Sequence, residues 1–148
     1  MLQIAILVIA TFLTVSYSVM NERRATEHIE RLSGDVASVN FLSYRDAVLR
    51  YRTANPGATG TIADGVLTWQ TGFIRDTRWT NLIQGGELYV YSTGAPPHNM
   101  ADSLYRRTAS TITVGVKQNN GNLSGPGGVL TAGLPGVIPD GAIVYMGG

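Results

Sequence analysis

Apolar and polar positions follow three successive patterns along the chain. From Leu2 to Met20 it reads LQIAILVIATFLTVSYSVM, 19 positions without a charge. A helix of that length spans roughly 28 Å, the depth of a bilayer core. Its Leu, Ile, Val and Phe residues contribute about −3 to −6 kcal/mol on an insertion scale. Gln3, Thr11, Thr14, Ser16 and Ser18 offset part of this, although the hydroxyls can bond back to carbonyls one turn earlier. The expectation is a membrane-spanning anchor over residues 1–20, retained in the mature protein. The competing reading is a cleaved leader, with small residues at Ser16 and Ser18 but no Lys or Arg ahead of the apolar run. Arg23 and Arg24 follow the span but are interleaved with Glu22, Glu27 and Glu30, so charge asymmetry says little about orientation.

The second pattern is helical. Residues 21–54 contain neither Pro nor a Gly pair, and Gly34 alone weakens a continuous helix. Ile29, Leu32, Val36 and Val39 step by 3, 4 and 3, while Phe41, Tyr44, Val48 and Tyr51 repeat those steps on a rotated stripe. Glu27 and Arg31 form an i, i+4 pair in the favoured order, which suits a solvated stretch. The aromatic second stripe should carry the packing of a globular head. Asn55-Pro56-Gly57 stops the helix, because the residue before Pro is pushed out of the α region and Gly accepts a left-handed turn.

The third pattern, over residues 55–148, is short alternation broken by turns. All 6 Pro and all of the 18 Gly except Gly34 lie there, as expected of a turn-rich β head. Candidate strands are Gly65 to Trp69, Asn81 to Gln84, Glu87 to Ser92, Ser110 to Gln118 and Ala142 to Met146. Glu87 to Ser92 and Thr111 to Val116 alternate with period two, the mark of an antiparallel sheet with one buried face. Gly85-Gly86 signals a hairpin, Asp102 to Arg107 a short helix, and Asn119 to Gly136 a long loop or irregular edge. The expected fold class is α+β: an N-terminal transmembrane helix continuing into a long helix packed on a small antiparallel β-sheet head.

Composition narrows the function more than the fold. The 148 residues carry 11 Lys+Arg and 10 Asp+Glu, a formal charge of +1, so no broad field draws the chain to nucleic acid. The absence of cysteine excludes disulfides, thiolate metal sites and thiol nucleophiles. His28 and His98 are far apart and in no metal-ligand spacing, so both read as surface histidines. There is no G-x-S-x-G elbow, phosphate loop or dinucleotide fingerprint. A Ser–Lys dyad would need Lys117, which reads as an exposed strand end, and Asp64 and Asp76 read as a turn residue and a member of a solvated charge cluster. No catalytic residue, cofactor, metal or small-molecule substrate is expected. Trp69, Phe73, Trp79, Tyr89 and Tyr91 concentrate the aromatics and read mainly as core. Tyr89 and Tyr91 are the alternative candidates for a docking patch on a half-exposed sheet face.

An apolar span running without a break into a long helix and then a Gly-rich β head resembles the layout of type IV pilins and pseudopilins. Two features depart from it. No basic leader ending in Gly precedes the run, and the fifth position, where a mature pilin carries Glu, is Ala5. The chain more closely resembles the PilM family of small inner-membrane proteins encoded with type IVB thin-pilus genes. The resemblance is carried by the N-terminal span, Phe41-Leu-Ser-Tyr-Arg-Asp-Ala-Val48, Tyr51 to Ile62, Leu88-Tyr-Val-Tyr91 and Val137 to Val144. It implies a non-enzymatic component of pilin transport and pilus basal-body assembly, single-pass in the bacterial inner membrane with a periplasmic head. Its partners would be other pilus-assembly proteins, pilin, and lipid through residues 2–20. In that role Ile29, Leu32, Val36 and Val39 would form a seam for another membrane-emergent helix, unless the head or lipid headgroups cover them. The alternatives are a membrane-tethered periplasmic enzyme or ligand-binding module, and a minor pilin of the fibre.

Overall fold

The computed structural model describes the backbone of residues 2–109, 113–130 and 133–147, and the side chains of Tyr17, Met20, Arg24 and most residues from Thr26 onward. One helix, α1, runs from Leu2–Ala54. It stops where expected: the Asn55 amide donates to the carbonyls of Tyr51 and Arg52 at 2.9 and 3.0 Å, and its side-chain amide donates to Tyr51 at 2.9 Å, before Pro56 prevents another turn. Among the described residues no helix is long and apolar enough to cross a membrane. The spanning anchor expected over residues 1–20 therefore finds no support in the fold, and most of its side chains lie outside the described residues.

Among the described residues six antiparallel strands form one sheet: β1 (Trp79–Gln84), β2 (Glu87–Ser92), β3 (Val114–Lys117), β4 (Leu123–Gly125), β5 (Gly128–Leu130) and β6 (Ile143–Gly147). Their spatial order is β1-β2-β6-β3-β4-β5. The last strand in sequence thus lies between β2 and β3, pairing Tyr91 with Val144 on one side and Val114 with Tyr145 on the other. β1 and β2 are joined through Gly85 and Gly86, both at positive φ, as a tight two-residue hairpin demands. A short helix, α2 (Met100–Arg107), leads into β3.

Period-two alternation sorts the strand side chains between two cores. Trp79, Ile83, Leu88, Val90, Val114 and Ile143 face α1 and α2, where they pack with Phe41, Tyr44, Val48, Met100 and Leu104. Tyr89, Tyr91 and Val144 face the other way, onto Leu123, Leu134, Ile138 and Ala142. The second aromatic stripe of the helix is therefore the core stripe. Phe41 meets Trp79 edge to face at 5.3 Å, and Tyr44, Trp69 and Phe73 form a stack with centroid separations of 5.9 and 5.2 Å. Buried Asn81 on β1 accepts from the Ile62 amide at 2.8 Å and donates to the Ile62 carbonyl at 3.0 Å and the Tyr44 hydroxyl at 2.8 Å. It supplies the backbone of a loop with the partners a strand would have given.

Two local expectations are corrected and one is narrowed. Gly65 to Trp69 is not a strand: Asp64–Val66 is a single 3-10 turn, and Arg50 on α1 donates to the Thr68 carbonyl at 3.0 Å. Of the two readings of Asn119 to Gly136, the edge holds over the loop, because β4 and β5 make a hairpin within it at the border of the sheet. Lys117 is not an exposed strand end; it is buried, and its ammonium meets Asp140 at 2.6 Å. The first three residues of the expected strand Ser110 to Gln118 lie outside the described residues.

Candidate functional site

Among the described residues, the helix stripe that the head does not bury forms a contiguous exposed apolar row. Ile29, Leu32, Val36 and Val39 are 66%, 52%, 70% and 48% exposed, one helical turn after another. Scattered exposed aliphatics are ordinary on a protein surface, whereas a contiguous row of them marks a binding face.

The row lies along two shallow grooves. One, of about 460 Å³, runs between Val36, Val39 and Ser43 on the helix and Gly72, Phe73 and Ile74 of the loop that crosses it. The other, of about 450 Å³, is floored by Ile29, Leu32, Val36 and Ala37 and walled by Asp76 and Arg78. Asn40 lines both. Its side-chain amide donates to the Ile74 carbonyl at 2.7 Å, and its oxygen accepts from the Asp76 amide at 3.3 Å and the Trp79 indole at 2.9 Å. This pins the 73–79 loop across α1 and leaves Ile74 84% exposed at the end of the row.

The far side of the same helix segment is fixed by α2. A side chain at Gly34 would place its Cβ 2.5 Å from the His98 carbonyl oxygen, so only glycine admits this crossing. Beside it the buried Ser38 hydroxyl donates to the Gly34 carbonyl at 2.7 Å and to the Met100 carbonyl at 3.3 Å. Ser103 donates to the Asp35 carboxylate, and Arg107 lies 3.9 Å from it.

Charges at the rim are satisfied within the chain. The Arg78 guanidinium donates to both Asp76 oxygens at 3.0 Å, and this bonding holds the Asp76 carboxyl below the usual carboxylate range while raising Arg78. Asp64 pairs with Arg75 at 2.7 Å, so the two aspartates form separate ion pairs rather than a carboxylate dyad. Burial pushes the Tyr44 hydroxyl above its ordinary value despite its bond to Asn81. His28 and His98 are both exposed, and no group of three or more potential metal ligands occurs among the described residues.

Of the six residues proposed from sequence as partner contacts, the structure brings four together. Tyr89 and Tyr91 do not join them. Each is 7% exposed, on the opposite sheet face and covered by residues 134–142. Burial raises both phenols, for Tyr89 with the charge of Glu87 adding to it. Their alternation with Leu88 and Val90 correctly put them on a second face but could not reveal the segment that closes over it. Sequence reasoning missed Asn40 and Ile74, which only the crossing loop makes part of the surface.

Among the described residues, a half-buried long helix, a six-stranded antiparallel sheet and an exposed apolar helix face define a small α+β protein. The chain belongs to the PilM family, a pilus-related family whose model matches residues 6–146. A crystal structure described as a PilM protein of Escherichia coli B7A shares the fold with a TM-score of 0.57 and 20% identity, covering 77% of this chain and 90% of that one. A second, described as a PilM protein of Pseudomonas aeruginosa 2192, is 28% identical with a TM-score of 0.47, over 78% of this chain and 96% of that one. No curated protein matches the chain significantly.

Proposed function

We propose that this protein is a non-enzymatic component of pilus biogenesis that works by holding partner proteins against the exposed stripe of α1. The carrying observation is the row Ile29, Leu32, Val36 and Val39, left uncovered on a helix whose neighbouring stripe packs into the core. The family supports the pilus connection. The rim charges support a contact surface over a catalytic one, since Asp76 is committed to Arg78 and Asp35 to Ser103 and Arg107. In this reading the uncharged residues 2–20 hold the chain in the bacterial inner membrane with the head in the periplasm. The partners are then membrane-borne pilus-assembly proteins and pilin, serving pilin transport or basal-body assembly.

Two measurements test the reading. Replacing Val36 and Val39 together with Glu should abolish co-purification of pilus-assembly proteins while the head stays folded; undiminished recovery rejects the contact surface. Protease digestion of spheroplasts, with an intact mass of the mature chain, should show a digestible head and an uncleaved N-terminal segment. Recovery in sheared fibres instead of the membrane would make the protein a minor pilin.

A further inference from the structure

The exposed row steps by 3, 4 and 3 as the buried stripe does, but no segment of the head covers it among the described residues. Ile29, Leu32, Val36 and Val39 occupy positions a, d, a and d of two successive heptads, the 3.5-residue repeat of a two-stranded coiled coil. Both a positions are β-branched and the first d position is Leu, the combination that favours a parallel pair.

We infer that this seam pairs with the same seam of a second copy of the chain, parallel and in register, over residues 29–39. Flanking charge fits a copy of itself. In a parallel pair each g position faces the e position of the next heptad on the other helix, which sets His28 opposite Ser33 and Asp35 opposite Asn40. No like charges meet. The ends of the seam fit as well. Upstream, the a and d positions fall on Glu22 and Ala25, and downstream the loop pinned by Asn40 closes over the helix, so the two helices diverge after Val39. The grooves beside the seam give the partner's flanking side chains room, and Ile74 caps the row where the heads separate. Two heptads alone are a short coiled coil, so the pair is weak unless its members are concentrated, as on a common membrane. The pairing claims the same row that the proposed function gives to partner proteins and goes beyond that reading by naming a second copy as the occupant; tested with this chain alone, its failure is distinguishable from failure of the pilus role.

Absence of native cysteine makes the test direct. Ile29→Cys, Leu32→Cys, Val36→Cys and Val39→Cys are made singly in the full chain, with Glu30→Cys and Arg31→Cys as exposed controls off the seam. Each variant is purified alone in mild detergent and oxidised gently. All four seam positions should form disulfide dimers at least about tenfold faster than the controls, since apposed thiols experience an effective concentration in the mM range. Adding Val36→Glu to the Leu32→Cys variant should return its rate to that of the controls. An antiparallel pair, seen as Ile29→Cys linking to Val39→Cys in a mixture but not to itself, overturns the inference. So does a seam no faster than the controls, as expected if lipid or a different protein covers it. With one protein species present, none of these outcomes depends on pilus-assembly partners.

Discussion

The two stripes of α1 have nearly the same spacing and opposite fates. Phe41, Tyr44 and Val48 are buried to 1% exposure or less, whereas Ile29, Leu32, Val36 and Val39 stay at least 48% exposed. Helical periodicity identifies an apolar face but not what covers it. The difference lies in side-chain size and in what the head can reach. The aromatic stripe meets Trp79, Trp69 and the faces of β1 and β2, while the aliphatic row is rotated away from the sheet and bordered by a loop that crosses at a single point.

The sharpest way to break that contrast is truncation. Phe41→Ala should cost about 3–5 kcal/mol, while Val36→Ala should stay within about 0.5 kcal/mol, both read from urea unfolding. Equal losses would mean the row is covered in the folded chain. Next in size, Asn81→Leu should cost about 2–4 kcal/mol, because it strips the Ile62 amide and the Tyr44 hydroxyl of buried partners. A variant as stable as wild type would show the network adds nothing. Gly34→Ala tests where the exposed and buried regimes meet. On a free helix it would stabilise by about 1 kcal/mol, but against the His98 carbonyl it should destabilise by about 1–2 kcal/mol. A gain in melting temperature would refute the close crossing.

The smallest effect belongs to the groove rim. Asp76 has a folded pKa below its unfolded value, so its contribution is complete above about pH 4 and is lost as pH falls through the folded value. Because Arg78 is 40% exposed and solvent screens the pair, the contribution should be under about 1 kcal/mol. Asp76→Asn should lower the neutral plateau of a stability–pH curve by that amount and flatten its acid limb, so that variant and wild type converge at low pH. An unchanged acid limb would assign that limb to other carboxylates.

Local chemistry made part of this fold legible. The stop at Asn55-Pro56, the Gly85-Gly86 hairpin, the short helix before β3 and the burial of the aromatic stripe all rest on neighbours a few residues apart. Features set by distant segments were not legible. Tyr89 and Tyr91 are covered by residues 134–142, Lys117 is drawn inward by Asp140, and Gly65 to Trp69 lies on the helix instead of in the sheet. Gly34 was read as a weak point because its role depends on a segment some 64 residues later. For the surface, the row itself was visible as a period, but its grooves were not, since Asn40 acquires meaning only from the loop it holds.

Placing β6 third in the sheet governs the order in which the head can be made. As the chain leaves the ribosome, the hairpin of β1 and β2 and the later run of β3, β4 and β5 emerge with no shared edge between them. Ile143–Gly147 is the wedge that joins these halves. Closure therefore waits until that strand is free, and the pairings it makes with β2 and β3 are the sheet's late, long-range contacts. Losing only that strand would separate the sheet into two fragments instead of trimming its border.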